Sequence, residues 1–134
     1  MTRIQEIEGI GPAYAEKLAE LGIETVEKLL EEGASPQGRK KLVEATGLSA
    51  KLILKWVNRA DLARIKGVGE EYADLLELAG VDTVPELAQR NPENLYKKMK
   101  EINDERSLVR RVPPLSAVQD WVAQAKTLGR VITY

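Results

Sequence analysis

The sequence predicts an all-α protein of about eight short helices, set out as two halves related by a pseudo-twofold axis. The stretch Ile7–Leu29 returns 58 positions later as Ile65–Leu87, with ten of 23 aligned residues identical, among them Gly9/Gly67, Gly11/Gly69, Tyr14/Tyr72, Leu18/Leu76 and Gly22/Gly80. An internal match at a fixed offset marks a duplicated unit. Between these glycines apolar residues recur at spacings of three and four, as they do along one face of a helix. Glycine and proline fall at helix-length intervals, where helices end and begin. No segment reads as a sheet.

In the first copy Gly9-Ile10-Gly11 is a tight turn, its glycines supplying positive φ or close backbone approach. Pro12 suits a first helical position, and Tyr14, Ala15, Leu18, Ala19 and Leu21 form the apolar stripe that follows. Gly22 ends that helix. Thr25 caps a second helix over Val26–Glu32, and Gly33 is expected to stop it. Ser35-Pro36 opens a third, through about Ala45, which Gly47 closes. Ser49 caps the fourth, running to about Asp61, with Leu52, Ile53, Trp56, Val57 and Ala60 on its inner face.

The second copy repeats the plan. Helices are expected at Glu70–Ala79, at Val84–Gln89 after a Thr83 cap, and from Pro92 to about Ile102 after Asn91. The last, after Ser116, carries Val118, Trp121, Val122 and Ala125. Trp56-Val57 corresponds to Trp121-Val122 at an offset of 65 rather than 58. The second copy has therefore gained about seven residues, placed in Asn103–Pro114, a loop by its prolines. The tail Arg130–Tyr134 has no evident partner and reads as extended or disordered. The domains follow as repeat 1 over 1–62 and repeat 2 over 63–134, packed as one compact unit.

A hydrophobic fraction of 43% and a charged fraction of 31% suit a soluble globular chain. No apolar run reaches membrane-spanning length and Met1–Glu6 leave no room for a signal peptide, so a cytoplasmic protein with no membrane partner is expected. Cysteine and histidine are both absent. That removes thiolate nucleophiles, disulfides, the commonest general base and the commonest transition-metal ligands. Neighbouring carboxylates such as Glu31-Glu32 and Glu70-Glu71 point to different sides of a helix and form no catalytic dyad. No lysine has the apolar setting that a lysine nucleophile needs. The expectation is a protein with no catalytic residue, cofactor, metal or small-molecule substrate.

A net charge of −1 hides an alternation: −5 over residues 1–34, +6 over 35–66, −6 over 67–96 and +4 over 97–134. Each copy has an acidic front and a basic back. Solvated helix faces would account for this; so would one cationic surface per copy, or acidic and basic blocks that pair.

Gly-h-Gly between short helices resembles the helix-hairpin-helix motif, and two joined copies resemble the tandem arrangement of DNA repair and recombination proteins. Ile7-Glu8-Gly9-Ile10-Gly11-Pro12-Ala13-Tyr14-Ala15 through Leu18 is similar to the pattern Ile-Glu-Gly-Ile-Gly-Pro-x-Tyr-Ala-x-x-Leu of a bacterial family, domain-of-unknown-function family 4332. A Gly-h-Gly turn feeding a helix directs several backbone N–H groups one way, an anion nest reinforced by the helix dipole. In DNA-binding members of the motif the nest takes a phosphate and a nearby Lys or Arg supports it. Carried over, the resemblance implies Gly9, Ile10 and Gly11 with Lys17, and Gly67, Val68 and Gly69 with Lys66.

Glu70-Glu71 stand where such binders often place a basic residue, and would repel a phosphate at the second turn. Arg39, Lys40 and Lys41, with Lys51, Lys55 and Arg59, are a candidate phosphate-tracking face, matched by Lys97, Lys98, Lys100, Arg110 and Arg111. Tyr14 and Tyr72 could stack on bases but lie on the apolar stripe, which favours core rings with a hydroxyl at the rim. Trp56 and Trp121 read as core anchors. The expectation is a small non-enzymatic binding module for DNA or RNA backbone, sequence-independent and salt-sensitive. The alternative is a module that binds another protein, or itself, and has lost phosphate binding.

Overall fold

The computed structural model describes residues 2–7 and 9–134. Met1 and Glu8, the latter within the first motif copy, lie outside the described residues. A 3-10 turn at Ile4–Glu6 precedes α1 (Pro12–Glu20), α2 (Val26–Gly33), α3 (Pro36–Thr46), α4 (Ala50–Leu62), α5 (Glu70–Leu78), α6 (Val84–Ala88), α7 (Pro92–Arg106) and α8 (Leu115–Leu128). Among the described residues there is no strand, only an isolated antiparallel bridge between Arg3 and Thr25. The fold is all-α.

The chain forms two compact units, Met1–Asp61 with Val131–Tyr134, and Leu62–Arg130. In chain order the second unit is thus inserted into the first, and residues 131–134 belong with the first.

In the first unit Leu18, Ile23, Leu29, Ile53, Trp56 and Val57 are almost fully buried. All but Ile23, which lies between α1 and α2, come from the inner faces of α1, α2 and α4, as the three-and-four spacing predicts. Local chemistry sets the helix limits. The Thr25 hydroxyl accepts from Lys28 N–H at 3.1 Å, Ser35 from Gly38 N–H at 3.0 Å and Ser49 from Leu52 N–H at 3.1 Å. Each satisfies one orphan donor of a first turn. Gly47 closes α3 in the left-handed region at φ 73°.

Gly33 does not act as the expected stop. It is the last residue of α2 and is buried, and a Cβ on it would run into the Val57 side chain. Its smallness lets α2 approach α4. Gly38, inside α3, has a similar role, because a Cβ there would strike the Glu32 carbonyl oxygen.

The second unit has its own core of Leu75, Leu76, Val84, Leu87, Leu95, Met99, Val118 and Trp121. Asn91 caps α7 as expected, accepting from Asn94 N–H at 3.0 Å. Thr83 does not cap α6 through its hydroxyl. It donates to Glu86 Oε1 at 3.2 Å, while Glu86 Oε2 reaches back to Asp82 N–H at 3.4 Å. Helix α7 runs one turn beyond the expected end and stops at Ser107, at φ 51°. The Asn103 amide explains the stop. It donates to Val109 O at 3.1 Å and accepts from Val109 N–H at 2.9 Å, folding the chain back. The inserted loop is therefore Ser107–Pro114, and α8 begins at Leu115 with Pro114 as its N-cap rather than Ser116.

Candidate nucleic-acid interface

Both Gly-h-Gly turns have the same internal construction. Gly9 and Gly67 lie at φ 91° and 98°, where an L side chain is strained. Ile10 N–H donates to Ile7 O at 3.1 Å, and Val68 N–H to Ile65 O at 3.3 Å. The middle N–H of each expected nest is thus turned inward, and the Ile10 side chain is buried in the core. Gly11 and Gly69 have extended backbone at φ −81° and −89°, and a Cβ on either would meet open space. They are the N-caps of α1 and α5, and neither makes a side-chain cap hydrogen bond. An anion can approach backbone there, two residues later than the glycine that makes the turn.

Each turn rests on an aromatic pair. Tyr14 lies 5.2 Å from Trp56, centroid to centroid and tilted by 58°, and Tyr72 lies 5.4 Å from Trp121, tilted by 50°. The tryptophans are buried, whereas Tyr14 remains 37% exposed, more a wall of the turn than a core ring. Tyr72 donates from its hydroxyl to Arg111 O at 3.4 Å, which draws the inserted loop toward the start of α5. Glu71, Asn103, Asp104, Ser107 and Arg110 help to line a cleft of about 640 Å³ there.

The basic residues divide into two groups. Lys17 donates from Nζ to Thr46 O at 2.9 Å, so its charge sits on the C-terminal carbonyls of α3. Arg39 is engaged through its whole fork, with Nη1 on Gly33 O and Ala34 O at 2.9 and 3.1 Å and Nη2 on Thr133 O at 2.7 Å. Its guanidinium also lies 5.6 Å from the centre of the Tyr134 ring. Lys28 pairs with Glu32 at 3.2 Å and Glu31 at 3.9 Å, and the Glu32 carboxylate leads in raising its pKa above the usual lysine value. The backbone of Lys66 is clamped by Gln124, which accepts from its N–H at 2.9 Å and donates to its C=O at 3.0 Å; the Lys66 residue itself is exposed.

Lys40 and Lys41 on α3, Lys51 and Lys55 on α4, and Lys97, Lys98 and Lys100 on α7 form the second group. All are exposed, and among the described residues none pairs with a carboxylate. The expected cluster of Arg39, Lys40 and Lys41 is thereby divided, since only the two lysines are left facing solvent without a partner. The sequence carries one signal of this division. Arg39 is the only arginine in that run, and a planar fork suits several fixed carbonyls better than an ammonium does.

Among the described residues no group of three His, Cys, Asp or Glu is placed to hold a metal ion, and no helix is long and apolar enough to cross a membrane.

The pattern of the family described as Domain of unknown function (DUF4332) matches residues 8–128, which take in both turns and all eight helices. The chain belongs to this family. The DUF4332 span ends where α8 ends, leaving the tail of the first unit outside it. Comparison with curated proteins and with solved structures finds no match.

Proposed function

We propose that this DUF4332 protein is a small non-enzymatic module that binds nucleic-acid backbone without reading sequence. The observation that carries the reading is the set of exposed lysines on α3, α4 and α7 that no carboxylate neutralises. Such cations gain most from phosphate, because each phosphate neutralised releases condensed counterion. The first turn supports it: its N-cap Gly11 makes no side-chain cap hydrogen bond, and α1 opens with Pro12 and Ala13 where α5 opens with two carboxylates. At the second turn Glu70 and Glu71 oppose an anion, so the first turn is the better phosphate contact.

A second reading, a protein-binding module, is favoured by one observation. The inserted loop brings Arg110 into a cleft with Glu71 and Asp104, a surface of mixed charge that suits a protein better than a polyanion.

Fluorescence anisotropy with single- and double-stranded DNA at low and moderate salt tests the first reading. Affinity is expected to fall about tenfold or more between 50 and 200 mM salt. Reversal of Lys40 and Lys41 together is expected to weaken binding about tenfold, and Lys17→Gln to leave it within about twofold. Arg39 is left intact, because its guanidinium is engaged with Gly33 O, Ala34 O and Thr133 O rather than facing solvent. No salt-dependent binding, or binding indifferent to reversal at both the α3 and α7 lysines, sinks this reading.

A further inference from the structure

The first unit holds a segment that comes to it from far along the chain. Ile132 is 2% exposed, within the core cluster that contains Trp56 and Leu30. Thr133 N–H donates to the Ala34 backbone carbonyl at 2.8 Å, and Thr133 O accepts from the Arg39 side chain, Nη2, at 2.7 Å. The Tyr134 ring lies beside the Arg39 guanidinium and its hydroxyl meets Asn58 Oδ1 at 3.5 Å. Its polar partners in these contacts are Ala34, Arg39 and Asn58, all of the first unit. The seat is a short extended-peptide groove with one deep apolar pocket, a main-chain pair and a cation beside an aromatic ring.

We propose that this groove is a docking site for residues 131–134 of a second copy of the chain, so that two copies exchange tails reciprocally. Three observations point to exchange. First, the segment is anchored by one buried side chain only, since Val131 and Tyr134 are exposed. Release breaks few contacts, whereas an empty seat opens the Trp56 core to water, so a vacated seat favours refilling. Second, two residues, Gly129 and Arg130, separate α8 from the tail. Gly129 lies at φ 70° and ψ 168°, a region that glycine alone occupies at ease, so the closed hinge depends on that one residue. Third, Arg64 fixes the near side of the hinge, with Nη2 on Leu128 O at 2.8 Å and Nη1 on Gly129 O at 3.1 Å. Opening is thereby confined to residues 129–130, and short constrained hinges are where exchange between protomers arises.

Reciprocal exchange makes the same contacts twice in a closed pair and adds no unsatisfied surface. The tail's own tether gives the closed monomer an effective concentration of order millimolar, so wild-type dimer emerges as protein approaches about 1 mM. Any change that strains the closed hinge and spares the open one shifts this balance.

Sedimentation velocity on the full chain, from about 10 μM to about 1 mM, is the test. Wild type is expected to form a growing dimer fraction. Gly129→Ala is expected to lower the dimer dissociation constant about tenfold or more, because only the closed hinge strains an alanine. Ile132→Asp should stay monomeric, and an excess of the peptide Arg-Val-Ile-Thr-Tyr should dissolve the wild-type dimer. A mixture of Ile132→Asp, with seat intact and tail broken, and Arg39→Ala, with tail intact and seat broken, should recover a heterodimer that neither forms alone. Should Ile132→Asp fail to fold by circular dichroism, the Gly129→Ala and peptide experiments decide. Wild type and Gly129→Ala both monomeric throughout, or a dimer unmoved by the peptide, overturns the proposal.

Discussion

The turn at Gly9 runs into Pro12-Ala13, whereas the turn at Gly67 runs into Glu70-Glu71 beneath an inserted loop that the other copy lacks. The backbone is shared: φ 91° and 98° at the first glycine, the same inward N–H, the same Tyr–Trp pair beside it. The difference lies in how each unit finishes its core. The second unit folds its loop back through Asn103 and buries Val109. The first has no such loop, and buries Ile132 from the far end of the sequence, with Arg39 holding the next residue, Thr133. A repeated local motif fixes a turn and its aromatic support. It leaves open which further segment closes the core, and that choice decides which charges are consumed and which are left for a ligand.

The two turns differ most in what a side chain on the first glycine would meet. Gly67→Ala is expected to cost about 3 kcal/mol, combining left-handed strain with a Cβ that would lie 2.9 Å from Trp121 Nε1. Gly9→Ala carries the same strain, but its Cβ would lie 3.5 Å from Trp56 Nε1, ordinary contact, so about 1–2 kcal/mol is expected. Gly11→Ala and Gly69→Ala keep negative φ and meet open space, so each should cost about 1 kcal/mol or less, as a weakened N-cap. Thermal and urea melts of the four variants give the order. Equal losses at Gly9 and Gly67 would mean that the tryptophan contact does not distinguish the turns.

Much of the fold was legible because its signals are local. Thr25, Ser35 and Asn91 cap where their side chains can reach their own first turns, and Gly22 and Gly47 take the left-handed φ that a helix end requires. What was not legible depends on partners distant in sequence. Gly33 looked like a stop because glycine after a helix usually is one, but its reason is Val57, and the reason for Gly38 is the Glu32 carbonyl. The candidate site was read less fully. A charge count groups Arg39 with Lys40 and Lys41, and nothing local shows that Arg39 meets Thr133, 94 residues away. Lys17, though near the first turn in sequence, instead caps α3 through Thr46 O. Val131 and Ile132 are both apolar, and nothing local shows that only Ile132 is buried.

The two closing segments give the next test. Ile132→Ala is expected to destabilise the first unit by about 2 kcal/mol, at the low end for a core isoleucine because the tail can shift to fill space. Val109→Ala in the second unit should cost about 1 kcal/mol, for two methyl groups fewer and a loop still clamped by Asn103. Tryptophan emission separates the units when read in Trp121→Phe and Trp56→Phe backgrounds. Ile132→Ala should move the Trp56 signal and leave the Trp121 signal in place. A shift in both would show that the units do not close independently.

The smallest expected effect is set by pH and belongs to the first unit alone. Thr2 N–H donates to both Glu27 carboxylate oxygens at 3.2 Å, alongside the Val26 N–H to Thr2 O bond of 2.9 Å that ties the start of the chain to α2. Partial burial pushes the Glu27 carboxyl up, but its own backbone N–H and that of Thr2 outweigh burial and hold its pKa below the ordinary 4.5. A folded pKa below the unfolded one means that the stabilisation is complete above the unfolded value and is lost as pH falls through the folded value. Because the group is largely exposed, that stabilisation is a few tenths of a kcal/mol. The aligned residue of the second copy is Pro85, which has no carboxylate to titrate. Wild type minus Glu27→Gln stability, from urea melts at pH 7 and at pH 3, should therefore shrink toward zero in acid. The Thr2 amide resonance should titrate with a midpoint below 4.5 in wild type and not at all in Glu27→Gln. A Thr2 midpoint at or above that value would mean that the carboxylate is not held by these N–H groups, and the acid-sensitive difference between the units would vanish with it.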